Sequence, residues 1–181
     1  MPKSVFIMRH AKSSWAQSGI PDHDRPLNKR GIADAPAMGR MLVEHKLVPQ
    51  KLYHSSAKRT VLTAELLCKQ FAGEATIGGD IFDRNSIESM EELYLAPWTT
   101  YVELMMHLAE GESSEQLNSI MLLGHNPGLE TLIEKLTGRY QTMPTATVVW
   151  IEMASDDWGD SENLMVSGGF RLMDIWRPKE L

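Results

Sequence analysis

Three short apolar runs each end at a turn or loop carrying Arg or His, and this feature constrains the 181-residue chain more than any other. Val5-Phe6-Ile7-Met8, rich in strand formers, leads into Arg9-His10. Lys51-Leu52-Tyr53-His54 leads into Ser55-Ser56-Ala57-Lys58-Arg59. Ile120-Met121-Leu122-Leu123 leads into Gly124-His125-Asn126-Pro127-Gly128. Helical periodicity fills most of the chain between such runs. The alternation predicts a three-layer α/β/α sandwich around a mostly parallel central sheet, with an antiparallel edge strand late in the chain.

The intervening segments support this reading. Ala11 to Pro26 is loop-like, with Gly19, Pro21 and Pro26. Asn28 is a good N-cap for a helix running to about Lys46, with Ile32, Ala35, Met38, Met41 and Leu42 inward and Pro36 a possible kink. Ser55 or Ser56 is expected to cap a second helix through Phe71, with Val61, Leu62, Ala64, Leu66 and Leu67 inward. A weaker strand is expected around Ala75 to Phe82, and a helix from about Trp98 to Ala109. Asn126 as N-cap and Pro127 as first residue would start a helix reaching Leu136. Thr147 to Met153 and Leu164 to Ile175 read as late strands, split by the acidic loop Ser155 to Glu162. Length and the lack of a linker or repeat predict one domain over residues 1–181.

Parallel strands place their C-terminal ends along one sheet edge, where ligands bind. Arg9, His10, Arg59 and His125 are therefore expected on one rim, beside a helix N-terminus whose free N–H groups favour phosphate. The charge distribution agrees. Residues 1–60 hold eleven Lys and Arg against four Asp and Glu, whereas the net charge is −6. That net charge argues against nucleic-acid binding. The single cysteine, Cys68, lies in an apolar helical run and reads as a core thiol in a reducing compartment. No run is long enough to cross a membrane, so a cytoplasmic protein with no membrane partner is expected. The six histidines show no metal-ligand spacing, so neither a metal nor another cofactor is expected. His23, His45, His54 and His107 read as surface or core residues, and the tryptophans and twelve methionines as core and rim packing.

Beyond the Arg-His and Gly-His-Asn-Pro pairing, several stretches carry a wider resemblance. They are Met8-Arg9-His10-Ala11-Lys12-Ser13-Ser14-Trp15, the run Asp22 to Gly31, Ser55 to Ala64, Leu93-Tyr94-Leu95-Ala96, and Arg171 to Leu181. Together they resemble the histidine phosphatase superfamily, the phosphoglycerate mutase-like fold, and within it the short SixA-type phosphohistidine phosphatases. The resemblance implies that His10 is a nucleophile that becomes phosphorylated, and that Arg9, Arg59 and His125 bind the phosphoryl oxygens. It also implies a carboxylate acid after the third strand. Glu92 is taken for that role, with Glu91 beside it, or no acid at all, as the alternatives. Lys12, Ser13 and Asn126 are expected to bind substrate, and Asp24 and Arg25 to fix their loop.

A nucleophilic His10 must be neutral, which neighbouring arginines favour, whereas a phosphate-binding His125 is expected as imidazolium, giving a bell-shaped pH–rate profile. The expected partner is a histidine-phosphorylated protein or a small phosphoester, with a phosphate or sulfate anion fitting the pocket. About thirty residues separate Arg59 from Glu91, too few for a large lid, which favours a protein substrate over a small-molecule phosphomonoesterase or a mutase. A non-catalytic phosphate-binding protein is the remaining alternative.

Overall fold

The apolar runs form buried strands. A computed structural model describes residues 2–110, 115–160 and 168–181. Its six-stranded sheet has β1 (Lys3–Arg9), β2 (Lys51–Ser55), β3 (Ile87–Met90), β4 (Ser119–Gly124), β5 (Val148–Met153) and β6 (Phe170–Trp176), in the order β3-β2-β4-β1-β5-β6. β1 and β2 both pair parallel with β4, and β3 pairs parallel with β2. The sheet is covered by α1 (Lys29–Glu44), α2 (Lys58–Phe71), α3 (Trp98–His107) and α4 (Gly128–Thr137).

The period-two geometry of a strand explains why the central runs are continuously apolar. Val5 and Ile7 of β1, with Ile120 and Leu122 of β4, join one core with Tyr101, Met105, Leu129 and Leu132 of α3 and α4. Phe6 and Met8, with Met121 and Leu123, join the other core with Ala35, Met38, Leu42, Leu67 and Phe71 of α1 and α2. Both sheet faces are therefore covered, giving the three layers of the phosphoglycerate mutase-like α/β fold.

The antiparallel strand is β5, which lies between β1 and β6, one strand in from the edge. After α4 the chain returns to the C-terminal rim, where the Ala146 N–H donates to the Arg9 and His10 carbonyls at 3.1 Å. β5 thus starts where β1 ends and must run back along it. The third strand is also displaced from the expected Ala75 to Phe82. That segment forms a small turn closed by the isolated bridge between Ala75 and Ile81, around Gly78-Gly79, and Ile87–Met90 pairs with β2 instead. Ile32, expected inward, is exposed. The expected strand residues Leu164 to Ser167 lie outside the described residues.

α1 begins as its sequence suggests, with the Asn28 side chain accepting from the Gly31 N–H at 2.9 Å. The same cap is tied to the first loop, because the Asn28 N–H donates to the Lys12 carbonyl at 2.9 Å. Gly31 is required by this close approach: a Cβ there would fall inside the Lys12 backbone. Gly31→Ala is expected to destabilise the fold by about 1–3 kcal/mol, outweighing the ~1 kcal/mol of helix propensity that Ala gains. A lower urea midpoint at unchanged slope would report it, and an unchanged midpoint would show that the Lys12 loop yields freely.

Candidate active site

Because β2, β4 and β1 are adjacent and parallel, their C-terminal ends deliver Ser55, Gly124 and Arg9 to one rim. His10 and His125 each follow directly, and Arg59 lies on the first turn of α2. The three segments are stitched together. The His10 N–H donates to the Gly124 carbonyl at 3.1 Å, and the Ala11 N–H to Thr63 Oγ1 on α2 at 3.0 Å. The resulting cleft of about 410 Å³ is lined by Arg9, His10, Lys12, Ser13, Trp15, Asp22, Arg59, Leu95, His125, Asn126 and Thr145. His10, Arg59 and His125 form its buried floor, with residue exposures of 7%, 4% and 1%.

Hydrogen bonds assign the histidine tautomers. His10 Nδ1 lies 2.7 Å from the Ala11 carbonyl, which can only accept, so Nδ1 carries the proton. His10 Nε2 then holds a lone pair, and it accepts from Arg59 Nε at 3.3 Å. Burial pushes the His10 pKa down to about 4, with Arg59 and Arg9 adding to it against the Ala11 hydrogen bond. His10 is therefore a neutral imidazole with Nε2 available, as nucleophilic attack requires.

His125 is arranged differently. Its Nε2 lies 2.8 Å from Ser55 Oγ, and its Nδ1 lies 3.4 Å from Arg59 Nη2, which only donates. Nε2–H therefore donates to Ser55, and Nδ1 holds the lone pair. The expected imidazolium is not the form that the surrounding protein favours. Burial, then the nearby His10 and Arg59, push His125 down to about 3. A phosphate entering beside Nδ1 would reverse this by attracting a proton there.

The two arginines differ in how far their donors are already used. Arg59 also donates from Nη1 to the Asp22 carbonyl at 2.6 Å and from Nη2 to Asp22 Oδ2 at 2.9 Å. Arg9 donates Nη1 to the Met143 carbonyl at 2.8 Å, while its buried Nε has no hydrogen-bond partner among the described residues. A buried unpaired donor is costly, and an oxyanion in the cleft would satisfy it.

The other expected site residues divide. Lys12, Ser13 and Asn126 line the cleft. The Asn126 amide, however, donates to the Met143 carbonyl at 3.1 Å and does not cap α4. α4 starts instead at Gly128, packed against the Ala96 carbonyl, and it is His125 and Asn126, just before the helix, that line the cleft. Glu91 and Glu92 sit exposed on a 3-10 turn and do not line the cleft. The cleft's carboxylate is Asp22, held by Arg59 and by the Tyr94 hydroxyl, which donates to Oδ2 at 2.8 Å. Of Ser55 and Ser56, the alternative helix caps, Ser55 Oγ meets His125 and accepts from the Ala57 N–H at 3.2 Å, Ser56 Oγ meets His23, and α2 begins after Ala57 with no side-chain cap. Arg25 stacks on the exposed Trp15, with its guanidinium 4.0 Å from the ring centroid. Cys68 is buried, and burial pushes its thiol up to about 12. Among the described residues no group of three or more His, Cys, Asp or Glu could hold a metal, and no helix is long and apolar enough to cross a membrane.

The family model for the histidine phosphatase superfamily (branch 1) matches residues 5–93, the half of the chain that carries Arg9, His10 and Arg59. The chain belongs to the histidine phosphatase superfamily. The candidate phosphohistidine phosphatase SixA of Agrobacterium tumefaciens shares its fold at a TM-score of 0.75, with 25% identity, covering 98% of this chain and 100% of that one. A protein histidine phosphatase SixA solved with tungstate matches at TM-score 0.75 with 19% identity, covering 98% of each chain. An uncharacterized chloroplastic protein of Arabidopsis thaliana is 28% identical over 178 residues, which are 97% of this chain and 78% of that protein.

The depressed histidines link pH to stability. His10 and His125 titrate near 4 and 3 in the native state, against an ordinary value of 6.5 that the unfolded chain recovers. Between these values the unfolded state binds more protons, so stability falls as pH drops from 6.5 toward 4. Denaturation midpoints should fall across that window without anion, and less steeply in a His10→Asn, His125→Asn double variant. Equal slopes would contradict the buried neutral histidines.

Proposed function

We propose that this chain hydrolyses phosphoryl groups through a phosphohistidine formed at His10, and that its substrate is a phosphohistidine carried on another protein. The observation that carries the chemistry is His10 Nε2, a lone pair on the cleft floor within reach of Arg59 and beside Arg9. In-line attack by Nε2 on phosphorus breaks the bond to the leaving group and leaves the phosphoryl on His10. Water then attacks the same phosphorus and restores neutral His10. The transferred group carries its charge on peripheral oxygens, so positioned donors do most of the work. Arg9 and Arg59 present forked donors, and His125, once protonated at Nδ1, adds a third. Each charge-assisted bond contributes about 1.5–3 kcal/mol.

The protein substrate is supported by the shape of the cleft. No residue from 60 to 90 lines it. That segment, where a cap would come from, is spent on α2, the small Ala75–Ile81 turn and β3. The mouth is left to Trp15 and Leu95, which are 67% and 54% exposed. An opening of this kind admits a side chain standing on a protein surface. The names of the SixA structures agree with this reading.

The test uses a phosphohistidine peptide and p-nitrophenyl phosphate, with wild type beside His10→Ala. Wild type should turn over the peptide and form an acid-labile phosphoenzyme, and His10→Ala should lose several orders of magnitude in rate. Equal rates for the two would sink the mechanism. Activity on the nitrophenyl ester alone would sink the protein substrate in favour of a small phosphoester.

A further inference from the structure

Among the described residues Asp22 is the one carboxylate lining the cleft, and the phosphoryl chemistry above leaves it without a task. Its side chain is 46% exposed, whereas Arg59 beside it is 5% exposed, so it stands where the floor gives way to the mouth. The attacking His10 Nε2 lies on the floor, and in-line displacement expels the leaving group on the opposite side. Asp22, Trp15 and Leu95 line the cleft on its more exposed side, where a leaving group expelled from the floor would depart.

Both hydrogen bonds that fix the carboxylate, from Arg59 Nη2 and from Tyr94, use Oδ2. Oδ1 has no hydrogen-bond partner among the described residues, since Arg25 Nε stands 3.9 Å away. Asp22 is therefore an oriented carboxylate on the cleft wall whose Oδ1, with Arg25 Nε 3.9 Å away, still has hydrogen-bond acceptor capacity to offer. We propose, building on the phosphohistidine reading, that Asp22 selects the leaving group: Oδ1 accepts the N–H of the imidazole ring nitrogen not bonded to phosphorus, and so favours N-phosphoryl substrates over phosphate esters.

The proton balance follows. With that distal nitrogen protonated, the substrate ring is cationic. His10 Nε2 forms its bond to phosphorus, the phosphorus–nitrogen bond breaks, and its electron pair returns to the ring. The ring departs as neutral imidazole, still holding its proton, and no acid is consumed. An ester would leave as an alkoxide and would need a proton that Asp22 does not carry. The groups facing Asp22 are Arg59, Tyr94 and Arg25, with His10 and His125 behind Arg59 and His23 edge-to-face with Tyr94. Burial alone would raise the Asp22 pKa, but the Tyr94 and Arg59 hydrogen bonds and the Arg59 and Arg25 charges hold it below its ordinary value. It is thus an anion at neutral pH, suited to accept and not to donate.

The experiment compares kcat/KM on a phosphohistidine peptide and on p-nitrophenyl phosphate for wild type, Asp22→Asn and Tyr94→Phe, with phosphate-induced thermal shifts as the check on folding. The ratio of the two kcat/KM values should fall at least tenfold in Asp22→Asn, and in the same direction but less in Tyr94→Phe. The basic limb of the peptide's pH profile should also move to lower pH in Asp22→Asn, because the distal nitrogen loses its counter-charge. A residue that acted only by steadying Arg59 would lower both activities together. An unchanged ratio therefore overturns the selection role while leaving the phosphohistidine reading standing. A wild type that cleaves the ester but not the peptide overturns both. Should Asp22→Asn fail to fold, an unchanged ratio and pH profile in Tyr94→Phe overturn the proposal by themselves.

Discussion

Arg59 is a guanidinium buried to 4% exposure, and a charge placed there must be paired or it would not stay. Its donors reach the Asp22 backbone and carboxylate on one side, and His10 Nε2 and His125 Nδ1 on the other. This one group meets the unprotonated nitrogen of both histidines, whose protons sit on the other nitrogen, toward the Ala11 carbonyl and the Ser55 hydroxyl. It also anchors the loop bearing Asp22, which has no strand or long helix of its own beyond the 3-10 turn Asp22–Asp24. The sheet makes this possible, because α2 starts at the rim only if β2 runs parallel to β4 and β1.

The floor of the cleft was legible in the sequence because its residues are fixed by backbone topology. Arg9, His10 and His125 directly follow apolar runs, and Arg59 follows one by a single helical turn, so parallel pairing alone brings them together. The central strands were legible for the same reason: runs buried on both faces are apolar without interruption. The wall of the cleft was not. Asp22 lies in a loop whose path is set by Arg59 and Tyr94, more than thirty residues distant in sequence on either account. It was visible only as part of the Asp22 to Gly31 run. Glu92 had the right chemistry and the right neighbourhood, but the chain turns there so that Tyr94, two residues on, points to the cleft. Ser55 satisfies the composition rule for a cap, yet a partner seventy residues away takes its hydroxyl. β3 was misplaced because Ala75 to Phe82 and Ile87–Met90 are both short, and only pairing with β2 distinguishes them.

The proton economy of the cleft follows from these arrangements. Opposite charge states on the two histidines would need a bound anion, because the surrounding protein favours the neutral form of both, through burial and Arg59. What separates them is the direction of the remaining nitrogen and the hydrogen bond on the other. His10 is locked by a carbonyl, which fixes a proton on Nδ1 and keeps Nε2 bare. His125 rests on a hydroxyl, which can accept from Nε2–H in either charge state. An arriving dianion could therefore recruit a proton to His125 Nδ1 without disturbing its Ser55 contact, while protonating His10 Nε2 would remove the lone pair that the proposed reaction uses. In the proposed reaction the anion thus charges His125, which would bind it, and spares His10, which would attack it. Asp22 completes the sequence, because a site that takes up its proton on the binding histidine has none to give the leaving group, and a leaving group that carries its own proton needs none.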